Sequence, residues 1–269
     1  MISLKKIGFN ALLLASICTI SCSSSDDGSS TPITYNNYSP LTVGNTWTYA
    51  VSSNDGTNVT NSTDVITADA DVVINSKTYT DMSMSQGSTG IMSGMLDQNN
   101  FRSEEGVLYM KGEIDLPLSQ LGGTDHSIVI DDVELINQNK NNGDILSEQP
   151  GSTNQTIQGI TIDVSYVVKT KQGETLDNHT VDGQIYNNVI VADIIISASA
   201  TTPVNNINFP ILNDQEIYII KNYYAEGIGL IDSDATFSYS LVSVPGINLP
   251  IPNTGSTITD QEITSYTVN

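Results

Sequence analysis

The sequence predicts an all-β protein: a single antiparallel, multi-stranded curled sheet, open barrel or sandwich, with little helix. Two observations carry this. From Tyr35 onward apolar residues recur with a period of two, and no window keeps helical spacing over three turns. The runs are rich in Thr, Val, Ile and Tyr, and Gly, Pro or Asn-Asn cut them repeatedly.

In chain order, "TWTYAV" places Trp47, Tyr49 and Val51 on one face of the first strand. Turns are expected at "NDG" (54–56), "INSK" (74–77), "EEG" (104–106), "KQG" (171–173) and "VDGQ" (181–184). Asp182-Gly183 is the strongest of these, because a type I′ hairpin needs positive φ at both central residues. "VIVADIIIS" (189–197) is apolar on both faces except at Asp193 and reads as a central strand, as does "EIYIIKNYY" (216–224). In "ATFSYSLV" Ala235, Phe237, Tyr239 and Leu241 alternate with Thr and Ser, which gives a strand with one wet face. The Pro-rich pieces at 199–210 and 244–255 are expected as loops, because proline cannot donate to a central ladder. Gly227 and Gly229 in "AEGIGLI" suggest a bend or a close backbone approach. Two similar β halves are a further expectation: "TYAVSSNDGT" (48–57) aligns with "SYVVKTKQGE" (165–174), and "INSKTYTDM" (74–82) with "VDGQIYNNV" (181–189).

The start of the chain has a different character. Lys5 and Lys6 precede a 14-residue apolar run, Ile7 to Ile20, too short for a spanning helix of about 20 residues. Ser21 then leads into Cys22. This resembles the lipobox of bacterial lipoproteins, which implies a signal peptide over 1–21 and a diacylglycerol on Cys22. Residues 22–34, "CSSSDDGSSTPIT" after lipidation, have almost nothing to bury and read as a tether, leaving 35–269 as the β domain. Within the tether Ser25, Asp26 and Asp27 resemble the acidic export tag of surface lipoproteins of the Bacteroidota. That implies an outer-membrane, cell-surface location; without the tag the protein would face the periplasm.

Charge narrows the partners. Without Lys5 and Lys6 the chain keeps 7 basic residues against 30 acidic ones, a formal charge of −23. Such a chain repels nucleic acid and anionic headgroups, so nucleic-acid binding is discarded and the membrane contact is assigned to the acyl chains. With Cys22 lipidated and Cys18 in the signal segment, no cysteine remains for a disulfide, and the fold must rest on its core.

No chemical constellation stands out. His126 and His179 are 53 residues apart with no metal-ligand spacing, no G-x-S-x-G elbow occurs, and no free cysteine can act as nucleophile. "DAD" (69–71) and "DSD" (232–234) each place two carboxylates on one face, but neither continues as an EF-hand loop. Glu104-Glu105 and Asp131-Asp132 would pair as in a glycosidase only if the fold brought partners to them. The expectation is therefore no enzyme, no catalytic residue, no metal and no cofactor. The aromatic residues remain, and Trp47, Tyr49, Tyr223 and Tyr224 are the candidates for lining a ligand cavity, against plain core packing.

"YSPLTVGNTWTYAV", "INSKTY", "EEGVLYM", "YYAEGIGLID" and the final "ITSYTV" together resemble an uncharacterised family of Bacteroidota lipoproteins. Members look like open antiparallel sheets curled around an apolar interior, similar to periplasmic lipoprotein carriers, and the resemblance implies an apolar groove. Two functions follow as expectations. One is a lipid-anchored module that binds a lipid, a glycan or an envelope protein; the other is an accessory subunit of a surface assembly with no small ligand. A hydrolase ranks third and would need convergent carboxylates in a cleft.

Overall fold

The computed structural model describes residues 34–85, 90–97, 99–116, 124–157, 159–205, 207–244, 249 and 251–269. The body spans Tyr35–Asn269. Its strands are β1 (Thr46–Asn54), β2 (Val59–Ile74), β3 (Lys77–Met84), β4 (Asn100–Glu104), β5 (Val107–Leu116), β6 (His126–Asn137), β7 (Ile145–Ile157), β8 (Ile160–Val181), β9 (Gln184–Val204), β10 (Ile207–Ala225), β11 (Gly229–Ser240) and β12 (Thr254–Thr267). One short helix, α1 (Ile91–Leu96), lies between β3 and β4.

Each strand pairs antiparallel with its neighbours in sequence, and β12 pairs with β1, so the order β6-β5-β4-β3-β2-β1-β12-β11-β10-β9-β8-β7 curls into a nearly closed barrel. The junction without a ladder is β6 to β7. Side chains bridge it: Ser147 Oγ accepts from the Glu134 N–H at 3.0 Å, and Gln172 Oε1 from the Asn137 N–H at 2.9 Å.

The period of two decides which side chains are inside. Across β8 to β12, Thr170, Ile194, Ile220, Ala235 and Thr259 stand opposite one another and are all buried. One residue along, Lys171, Asp193, Lys221, Asp234 and Asp260 form a row on the outer face. Apolar inside and polar outside is the inverse of a membrane-spanning barrel, whose lipid-facing residues are apolar. No helix among the described residues is long and apolar enough to cross a membrane.

Most expected turns are in place, at 55–58, 75–76, 105–106 and 182–183, with positive φ at Asp182 and Gly183. "KQG" is not a turn. It lies inside the continuous β8, where a register shift between Gln172 and Thr175 bends the β8–β9 pair. An added Cβ at Gly173 would come within 2.9 Å of the Val191 backbone, so the bend depends on close approach rather than on reversal. This also removes the proposed match between 48–57 and 165–174, since the first ends a hairpin arm and the second continues a strand. The expected loop at 199–210 is instead the end of β9, through Val204, and the start of β10, from Ile207, with a turn at Asn205. Pro203 sits next to the β9–β10 turn and Pro210 at a register shift, positions where the ladder does not need their missing N–H.

Candidate functional site

The turns at 75–76, 105–106, 138–144 and 226–228 lie at one end of the barrel, the base. The segment Tyr35–Asn45 crosses it as a strap. Asn36 and Gln138 exchange two hydrogen bonds of 2.9 and 2.8 Å, the Gly227 N–H donates to Asn37 O at 2.7 Å, and Thr80 Oγ1 donates to Leu41 O at 3.0 Å. Tyr35 lies flat on Gly106, where any Cβ would collide with its ring.

Above the strap, three of the four aromatic candidates converge. Trp47 Nε1 donates to Ile228 O at 2.6 Å, and Tyr49 Oη donates to Leu230 O at 3.0 Å. Burial pushes the Tyr49 and Tyr224 hydroxyls well above the ordinary tyrosine pKa, Tyr49 also through the nearby Tyr224, so both stay neutral. Gly227 and Gly229 both have positive φ here, but a Cβ on Gly229 would stand 3.4 Å from the Trp47 indole nitrogen, an ordinary contact, and one on Gly227 would meet nothing, so the backbone conformation and not a close approach calls for glycine. The void these residues share with Met82, Phe101 and Leu108 holds about 30 Å³. That is room for a water or two, against roughly 300–1,000 Å³ for ligand pockets.

Tyr223 points the other way. The β8–β9 pair runs on past Val189, where β9 leaves β10, and its tip lies against the outer wall. There His179 stacks on Tyr223 with ring centroids 4.1 Å apart, and its Nε2 lies 2.8 Å from Asp232 Oδ2. Burial raises the Asp232 carboxyl above the usual range, and the His179 bond opposes that shift. Asp234, raised by burial and by Asp260, shares the face.

A second outer cluster covers β3 to β6. Arg102, 8% exposed, packs its guanidinium over the Tyr109 ring at 3.6 Å and pairs with Glu104 at 2.6 Å and Asp132 at 3.2 Å. Asp132 also accepts from Lys77 and from Tyr79 Oη. Although burial opposes it, these donors hold the Asp132 carboxyl well below the carboxylate range. Asp131 pairs with Lys111 instead. Among the described residues no group of three or more His, Cys, Asp and Glu is placed to hold a metal.

On the outside of β7 to β10 an open groove of about 430 Å³ is lined by Ser152, Ser165, Ser197 and Ser199 with Tyr166 and Asp214. Period-two reading places these serines on a wet face, but a groove needs the curvature of the wall, which has no local signal. The Arg102 cluster was equally hidden: Arg102 meets Asp132 across 30 residues and a positive-φ irregularity at Asp132. Cys22, Ser25, Asp26 and Asp27 lie outside the described residues.

No protein-family model and no curated protein matches the chain. Among solved structures, a Parabacteroides distasonis chain described only provisionally as a lipoprotein aligns with 86% of this chain and 100% of its own length. The identity is 11% and the TM-score 0.38, too distant to carry weight for fold or function.

Proposed function

We propose that the chain is a lipid-anchored envelope protein, held by acyl chains on Cys22, that engages a glycan or partner protein through the outside of its barrel and catalyses no reaction. The observation that carries the outer-surface reading is the closed base. The aromatic residues that could have lined a ligand chamber enclose only about 30 Å³, whereas the groove beside Ser165 and Asp214 offers about 430 Å³ to solvent. The apolar groove implied by the family resemblance therefore has no support here, and a lipid cargo is not part of the proposal. Serine hydroxyls and the Asp214 carboxylate suit a neutral, hydroxyl-rich ligand better than an anion.

The anchor and the surface location rest on the lipobox and on Ser25-Asp26-Asp27. Palmitate labelling of the host is expected to mark the wild-type chain and not Cys22→Ala; equal labelling overturns the anchor. Protease added to intact cells is expected to digest the protein, and its survival overturns the surface assignment. For binding, the expected result is retention on a glycan array or on one envelope protein that Ser165→Trp and Ser199→Trp abolish. Binding that survives both places the contact elsewhere. No binding at all favours an accessory subunit of a surface assembly, a reading supported by the filled base.

A further inference from the structure

Inside the barrel, away from the aromatic base, the wall turns polar. Ser93 Oγ, Thr170 Oγ1, Asn222 Oδ1, Ser233 Oγ and Gln261 Nε2 have no hydrogen-bond partner among the described residues, and each of these residues is at most 1% exposed. Four of the five belong to one layer. Asn222 on β10 stands opposite Ser233 on β11, which stands opposite Gln261 on β12. Ser93 joins them from α1, because its N–H donates to Gln261 Oε1 at 3.0 Å. That bond also settles the amide orientation and leaves Nε2 as the free end. Thr170 stands one inward step along the wall, opposite Ile194, which faces Ile220.

These atoms cannot satisfy one another directly. Opposed Cβ atoms on neighbouring strands lie about 4.5–5.5 Å apart, and a serine hydroxyl is too short to close that distance to both sides. Leaving four such groups dry would cost about as much as a whole domain gains on folding. Their chemistry is complementary: Gln261 Nε2 only donates, Asn222 Oδ1 only accepts, and the two hydroxyls do either. The neighbouring Asp64 carboxylate is already engaged, accepting from the Gly90 N–H at 3.0 Å and from Ser62 Oγ at 3.0 Å. The set therefore fits a neutral ligand that is donor and acceptor at once.

We propose that the barrel binds a cluster of water molecules between α1 and the β10–β12 wall, bridging Gln261 Nε2, Ser233 Oγ, Asn222 Oδ1 and Ser93 Oγ. About two or three waters, each with two to four polar partners, satisfy the layer. α1 thus rests on bound solvent on this side while Met92, Met95 and Leu96 bury its other faces. The helix is docked by polar contacts that can exchange, unlike the base.

The test is oxygen-17 relaxation dispersion on the full chain, which detects internal waters by their long residence. At about one buried water per 27 residues, a body of this size holds on the order of nine. The double variant Asn222→Leu, Ser233→Ala, which leaves the Gln261 cap of α1 in place, is expected to lower the dispersion amplitude by about a quarter to a third. Unchanged amplitude in the folded variant overturns the proposal. If the double variant fails to fold, Ser233→Ala alone carries the comparison with a smaller decrease. A crystal structure in which Gln261, Ser233 and Asn222 bond directly to one another also overturns it.

Discussion

Tyr223 and Tyr224 are adjacent in sequence and end in opposite worlds. Tyr224 joins Trp47 and Tyr49 in the base, where contacts are apolar and the indole N–H and the Tyr49 hydroxyl meet backbone carbonyls. Tyr223 faces out, under His179 and beside Asp232, in a region held by the His179–Asp232 hydrogen bond and ring stacking. The difference teaches that one wall carries two kinds of stability. The inner kind follows buried area and is indifferent to pH; the outer kind, here and around Arg102, depends on protonation and pairing.

The largest test of this contrast is Trp47→Ala, which removes the centre of the base. It is expected to cost about 3–5 kcal/mol in chemical denaturation, nearly independent of pH and salt. Next, Arg102→Met keeps the stem over Tyr109 but strips Asp132 of its guanidinium. A loss of about 2–3 kcal/mol is expected by the same measurement, and a loss below 0.5 would mean that Lys77 and Tyr79 suffice for Asp132.

The pH dependence separates two outer carboxylates. Asp132 is depressed in the folded state, so the stability it contributes is complete above the ordinary carboxylate pKa and is lost as pH falls through and below it. Asp132→Asn is expected to flatten the fall in melting temperature below about pH 4. Asp232 is raised, so it works in the opposite sense: it favours folding while protonated, and that contribution is lost as pH rises from the ordinary value through its folded one. Asp232→Asn is expected to flatten the stability change just above pH 4, and an identical profile for both variants would erase the contrast.

The smallest expected effect is His179→Ala, at about 1 kcal/mol or less. Its signature is local. Amide exchange should accelerate in the tip from Leu176 to Asn188 and stay unchanged in β1 and β12, whereas acceleration throughout the barrel would show that the tip supports the whole wall.

Much of the wall was legible residue by residue. Trp47, Tyr49 and Val51 share an inner face as their alternation requires, and Asp182-Gly183 turns where its φ preferences demand. α1 was not legible, because six residues opening at Gly90 carry no side-chain cap of their own. Its N–H groups are met instead by Asp64 from β2 and Gln261 from β12. "KQG" misled because glycine serves a bend as well as a turn, and only the approach of Val191 distinguishes them.

By itself, the sequence determined the strands, the face each side chain would take, and the acidic charge of the chain. Alternation and turn chemistry act over a few residues, so they can be read from a few residues. Only the tertiary structure decided that β12 would pair with β1, that Trp47 would reach the carbonyl of Ile228 across 181 residues, and that the tip of β8–β9 would cover Tyr223. Those contacts depend on how far the sheet curls, a sum over every strand's twist that no local stretch encodes.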